Sequence, residues 1–139
     1  MLKSHKNALN FSSDELQLFI KENDYEKRAS IYKKLTLSLL RGYVEKSLVK
    51  WKEITGLDCG KVTFKDMKSR WGSCNIVSKS IAFSLRLISQ SLEQIDYVVL
   101  HELAHTIYSK HDKDFYSYLS FYLPRHKQIS KNLLMPIEK

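Results

Sequence analysis

Three of the chain's five histidines fall between positions 101 and 111, in the stretch VVLHELAHTIYSKHDKDF (98–115). This stretch constrains the fold more than any other, because His101 and His105 are four apart and a helix puts residues of that spacing on one face. On such a helix both imidazoles can reach one ion, about 2.0–2.1 Å from each nitrogen if the ion is zinc. Glu102 lies about 100° further round the helix than His101, too far to join as a ligand but close enough to hold a water at an open coordination position. The residues around this set demand a central helix. Ile95, Val98, Val99, Leu100, Leu103, Ala104 and Ile107 cover nearly the whole circumference, so the helix is expected to be buried. It should open at a capping box formed by Ser91 and Gln94 and run to about Tyr108. Burying two histidines and a carboxylate side by side without an ion would cost several kcal/mol in desolvation, which favours a metal site over a plain core helix.

A third ligand has to come from downstream. After Glu102 the only glutamate is Glu138, at the tip of the chain. Asp112 and Asp114 are possible donors, although each also suits a helix cap. His111 completes HExxHxxxxxH, the spacing in which the chain turns back after the second ligand and delivers a third imidazole. In metzincins a glycine makes that turn. Here Tyr108 holds the position, so the reversal is expected by another route, at Ser109-Lys110. His111 is therefore the preferred third ligand.

The rest of the sequence supplies a frame for this helix. Ser12-Ser13-Asp14-Glu15 reads as a capping box opening a short helix to about Glu22, after which Asn23 or Asp24 caps a longer one. Tyr32, Leu35, Leu39, Tyr43, Leu48, Trp51 and Ile54, with Leu40 and Val44 beside them, predict one broad apolar stripe on a helix of some thirty residues ending at Gly56. From Lys61 the period changes to two. Val62 and Phe64, then Ile81, Phe83, Leu85 and Leu87, alternate with smaller or polar residues, and RWGSCNIVSKS between them suits a middle strand and a turn at Asn75 to Lys79. This predicts a small antiparallel sheet of about three strands within residues 61–88. The strand Ile81 to Leu87 leads into the histidine helix and is expected to lie near the metal. If it is a free edge, it could hold an extended peptide as an added strand. Asp112 can cap the next helix, Pro124 ends or restarts it, and the tail to Leu134 reads as one more short helix. The expectation is a single α+β domain over 1–139, with 1–23 as a helical extension and no linker.

At 139 residues the chain can bury a real core. No apolar run is long enough to cross a bilayer, and the first twenty residues lack the apolar centre of a secretory leader, so a cytoplasmic protein with no membrane partner is expected. Cys59 and Cys74 are too few for a disulfide scaffold and form no CxxC pair, so reduced, structural thiols are expected. The net charge of +8 opens the possibility of a nucleic-acid partner bound through a basic surface, although no zinc-finger, RRM or KH signature accompanies it. Lysines and arginines at helical spacing more often form a solvated face. In RWGSC (70–74), Trp71 suits the core and Gly72 a bulge or a close backbone approach. Arg70 could pair with Asp66 or Asp96, or hold a substrate carboxylate.

HELAH with a histidine six residues on, preceded by RWGSC, IAFSLRLI and IDYVVLHELAH in that order, resembles the YgjP-like metallopeptidase family. The resemblance is close over residues 61–122 and looser over the long helix before them. It departs from the family pattern at Lys110, where an asparagine often precedes the third histidine, and in the absence of an N-terminal β-rich segment. The resemblance implies a zincin-like fold related to the SprT-like proteases, which act on DNA-bound proteins. It also implies one zinc per chain on His101, His105 and His111, with Glu102 as general base in peptide-bond hydrolysis. Zinc would lower the pKa of its bound water and polarise the scissile carbonyl. Tyr108, Tyr116, His126 and Arg70 are candidates to bind substrate and stabilise the oxyanion. Two other functions stay open, a nucleic-acid-associated protease module and a zinc domain without turnover. Three protein ligands favour an open, catalytic site, because structural sites usually close with four.

Overall fold

The computed structural model describes residues 25–133. The expected short helix to Glu22, its capping box and the caps at Asn23 or Asp24 lie outside the described residues, as does Glu138. The first helix, α1 (Tyr25–Thr55), ends where Gly56 takes φ 77°, a left-handed conformation that favours glycine. The Gly56 N–H donates to the Lys52 carbonyl at 2.9 Å and satisfies one of the helix's terminal acceptors. The chain divides into two compact units within α1, at Leu39 and Leu40. The described part of the first is the helical segment 25–39; everything below concerns the second. There α1 buries Leu40, Val44, Leu48 and Trp51, spaced four, four and three apart, while Tyr43 and Ile54 stand exposed. The apolar stripe is thus narrower than the sequence suggests. Ser47 shares the buried face because its hydroxyl donates to Asp96 Oδ1 at 2.5 Å.

Three strands follow: β1 (Val62–Lys65), β2 (Gly72–Cys74) and β3 (Ile81–Ser84), in the spatial order β1-β3-β2. β2 and β3 pair antiparallel, with Ser73 opposite Ala82. β1 and β3 pair parallel, with Phe64 opposite Phe83, so the sheet is mixed and the expected all-antiparallel pairing holds on one side only. The cause is topological. The chain reverses between β1 and β2 and again between β2 and β3, so β3 runs with β1 and enters the sheet between the other two. The second reversal is tight: Asn75 Oδ1 accepts from the N–H groups of Val77 and Ser78 at 2.9 and 3.0 Å, and Lys79 closes the turn at φ 64°.

As the central strand, β3 is buried at all four positions. It is therefore not the free edge anticipated for Ile81 to Leu87, and the Ser84 N–H already donates to the Trp71 carbonyl at 2.9 Å. The strand also ends earlier than the alternation predicts. Ser84 Oγ donates to the Met67 carbonyl at 2.8 Å and accepts from the Arg86 N–H at 3.2 Å, capping a 3-10 turn over Leu85–Ser89.

Helix α2 (Leu92–Ala104) opens on the anticipated capping box, with Ser91 and Gln94 each satisfying the other's backbone N–H. Tyr97 through Ala104 are all buried, as the apolar circumference requires. The regular helix stops at Ala104, and tighter turns carry the chain on, with Thr106 N–H on the Leu103 carbonyl and Ile107 N–H on the Ala104 carbonyl. Lys79 Nζ, from the hairpin turn, donates to the Thr106 carbonyl and so places a cation at this end. Helix α3 (Lys113–Tyr122) is capped by Asp112, whose side chain accepts from Phe115 N–H at 3.1 Å; it stops just before Pro124, and α4 (His126–Lys131) follows. No helix among the described residues is long and apolar enough to cross a membrane. Neither Cys59 nor Cys74 is in a disulfide, and burial pushes the Cys59 thiol above its ordinary value, as a structural role would have it.

Candidate metal centre

The last turn of α2 carries His101 and Glu102, and His105 stands at its C-cap. All three are at least 95% buried. The chain then reverses and returns His111 against them. Tyr108 needs no glycine substitute, because Lys79 is the only non-glycine residue with a positive φ among the described residues. The ligand nitrogens of His101, His105 and His111 all lie within 4.8 Å of one another. The His105 and His111 Nε2 atoms are 3.0 Å apart. For an ion with bonds of about 2.0–2.1 Å, tetrahedral donors would stand about 3.3–3.4 Å apart, so this pair needs little adjustment.

The donor chemistry fits as well as the spacing. His105 Nδ1 lies 2.9 Å from the Tyr108 carbonyl, an acceptor only, which assigns the ring proton to Nδ1 and leaves the Nε2 lone pair facing the cluster. Two neutral imidazoles meeting nitrogen to nitrogen need a proton or a cation between them. Phe115, fully buried, closes the cluster from α3, with its ring centroid 5.0, 4.5 and 5.2 Å from those of His101, His105 and His111. An apolar wall at that position excludes water from the ligand side and would hold the rings in place. These residues fit a divalent metal ion bound by three imidazoles.

Glu102 stays outside the three-nitrogen cluster, as its place on the helix requires. Its Oε2 is 3.3 Å from His101 Nδ1. On its other side runs β2, and there the RWGSC motif acquires a physical meaning. A Cβ on Gly72 would stand 2.9 Å from Glu102 Cγ and 3.1 Å from Oε2, with the Ala82 carbonyl 3.2 Å away. Of the two roles open to Gly72, the structure has the close backbone approach, and its target is the Glu102 carboxylate. Trp71 beside it is core, 2% exposed.

The four proposed substrate contacts are placed unequally. Tyr116 stacks on His111, with centroids 6.2 Å apart, and on His126, 6.0 Å apart. His126 is buried, and its Nε2 is 3.0 Å from Ser120 Oγ. Burial pushes His126 below its usual value of 6.5, and the neighbouring charges of Lys127 and His101 act in the same direction. Tyr108 turns its ring onto Tyr118, 5.4 Å away, and meets the histidines through its carbonyl. Arg70 is exposed.

Two residues beside the histidines, Tyr97 and Phe115, were not among those expected at the site. Tyr97 lies one helical turn before His101 and packs against it, the ring centroids 5.6 Å apart and the planes tilted by 58°, a relation that i, i+4 spacing could have revealed. Phe115 carries no such local signal. Part of the positive charge is absorbed in ion pairs: Lys50 with Asp96, Lys52 with Asp58, Arg86 with Asp66 and Arg125 with Glu93.

No curated protein matches the chain. Among solved structures it is similar to the metallopeptidase zymogen abylysin of Pyrococcus abyssi, with 24% identity and a TM-score of 0.61, over 68% of this chain and 99% of that one. It is also similar to the metallopeptidase zymogen jannalysin of Methanocaldococcus jannaschii, with 21% identity and a TM-score of 0.49, over 65% of this chain and 88% of that one. The likeness to abylysin shows a shared α+β fold. The model of the YgjP-like metallopeptidase domain matches residues 2–134, nearly the whole sequence. The chain belongs to the YgjP-like metallopeptidase family.

Proposed function

We propose that this metal-dependent peptidase holds one zinc ion per chain on His101, His105 and His111 and hydrolyses peptide bonds with Glu102 as general base. The observation that carries the reading is the convergence of three imidazoles, two buried and the third half-buried, with ligand nitrogens within 4.8 Å, next to a carboxylate that is not itself among the ligands. Zinc bound there would lower the pKa of a water and polarise the scissile carbonyl. The protein's own groups supply the remainder. Glu102 accepts the proton of the attacking water and passes it to the leaving amine. With Oε2 against His101 Nδ1 and Gly72, we assign the proton to Oε1. The Tyr108 carbonyl fixes the tautomer of His105, and Phe115 shields the ring cluster. Chelation should abolish cleavage of an unstructured peptide, and one equivalent of zinc should restore it. Cleavage that survives chelation would refute the proposal.

Gly72 is a positioning residue in this scheme. In Gly72→Ala the new methyl meets Glu102 on one side and the Ala82 backbone carbonyl on the other, and backbone yields less readily than the side chain. The carboxylate has to move. A misplacement on the order of 1 Å lowers turnover by about 10²-fold. The expected result is a fall of that size in kcat with metal content unchanged. Unaltered kcat in folded, metal-loaded Gly72→Ala protein would show that the close approach has no catalytic role.

A further inference from the structure

We infer that the cavity walled by Tyr97, Tyr116, His126, Lys127, Ser130 and Lys131 is a substrate subsite that selects a carboxylate on a residue flanking the scissile bond. The inference rests on the active site proposed above and names the substrate class that site would prefer. The cavity measures about 410 Å³, within the range of about 300–1,000 Å³ typical of small-ligand sites. It adjoins the metal centre, because two of its walls are shared with the ligands: the Tyr97 ring packs on His101 at 5.6 Å and the Tyr116 ring on His111 at 6.2 Å. One residue of extended chain spans about 3.3–3.6 Å. A residue flanking the scissile bond, with the added length of its side chain, is the part of a substrate placed to enter the cavity.

The lining has a single sign of charge. Lys127 and Lys131 are four apart on α4 and so share a face, and both are exposed. No acidic residue lines the cavity. Lys50, Lys52, Arg86 and Arg125 each meet a carboxylate, whereas no described carboxylate engages Lys127 or Lys131. Below the lysines lie the stacked rings of Tyr116 and His126, whose planes are 14° apart, and the hydroxyl of Ser130. Flat rings suit the aliphatic part of a guest, and two ammonium groups at the rim suit its carboxylate. That carboxylate could belong to an Asp or Glu side chain or to the substrate's own C-terminus.

Matched peptides separate these sources. One series carries Glu or Gln next to the scissile bond, with an amidated end. Another is neutral and ends one residue beyond the bond, as a free acid or an amide. The measured quantity is the ratio of kcat/KM for carboxylate over amide, in the wild-type protein and in the Lys127→Gln/Lys131→Gln double variant. A charge-assisted contact of this kind should give a ratio of about tenfold in one series or the other, falling towards one in the double variant. The series that shows it identifies the source. Ratios near one in both series, or a preference that persists in the double variant, would overturn the inference. Should no peptide be cleaved at all, the proposed activity fails, and the subsite is then read by calorimetry of N-acetyl-glutamate binding to the Glu102→Gln protein. Binding that the double variant loses would sustain the subsite; absence of binding would overturn it.

Discussion

Glu102→Gln is expected to lower kcat by about 10²–10⁴-fold while the protein keeps its metal, the range general-base catalysis contributes. The substitution keeps shape and volume and removes only the ability to take up a proton. Glu102 is fully buried, and Gly72 leaves no slack beside it, so Gln should occupy the same space. KM should change little, because the carboxylate acts in the transition state more than in binding. Steady-state kinetics together with metal analysis test this. A Glu102→Gln enzyme with near wild-type kcat would remove Glu102 from the chemistry, and one that had lost its metal would make Glu102 a ligand.

The third ligand yields a ranking between two neighbours. His111→Ala should weaken zinc by orders of magnitude, since it removes one of three converging imidazoles. Asp112→Ala should leave zinc affinity almost intact and lower stability by about 1 kcal/mol, the usual cost of losing a helix cap. The structure motivates the distinction, because the Asp112 side chain is occupied at the N-cap of α3, accepting from Phe115 N–H. A zinc-competition titration on the two variants gives the order. The reverse order would transfer the ligand role to Asp112.

What could be read from the sequence was local. Ser91, Asp112 and Gly56 mark helix ends because their chemistry acts within a few residues, and each stands where it was expected. The histidine cluster was legible for the same reason: spacing on one helix turn plus a near return of the chain. What could not be read depends on contacts distant in sequence. The parallel pairing of β1 with β3 follows from which strand takes the middle position, and strand periodicity is silent on that. Ser84 shows a local alternative overriding the alternation, since its hydroxyl turns the chain before Leu87. The approach of Gly72 to Glu102 joins a strand to a helix thirty residues on, and the cavity between Tyr97, Tyr116 and α4 joins three separate helices.

Among these experiments, titration of metal-free protein with zinc, followed by peptide cleavage, bears most directly on the central claim. The account predicts activity that rises to a break at one zinc per chain in the wild-type protein and stays flat in His105→Ala. Wild-type activity without added metal, or a full rise in the His105→Ala protein, would contradict it.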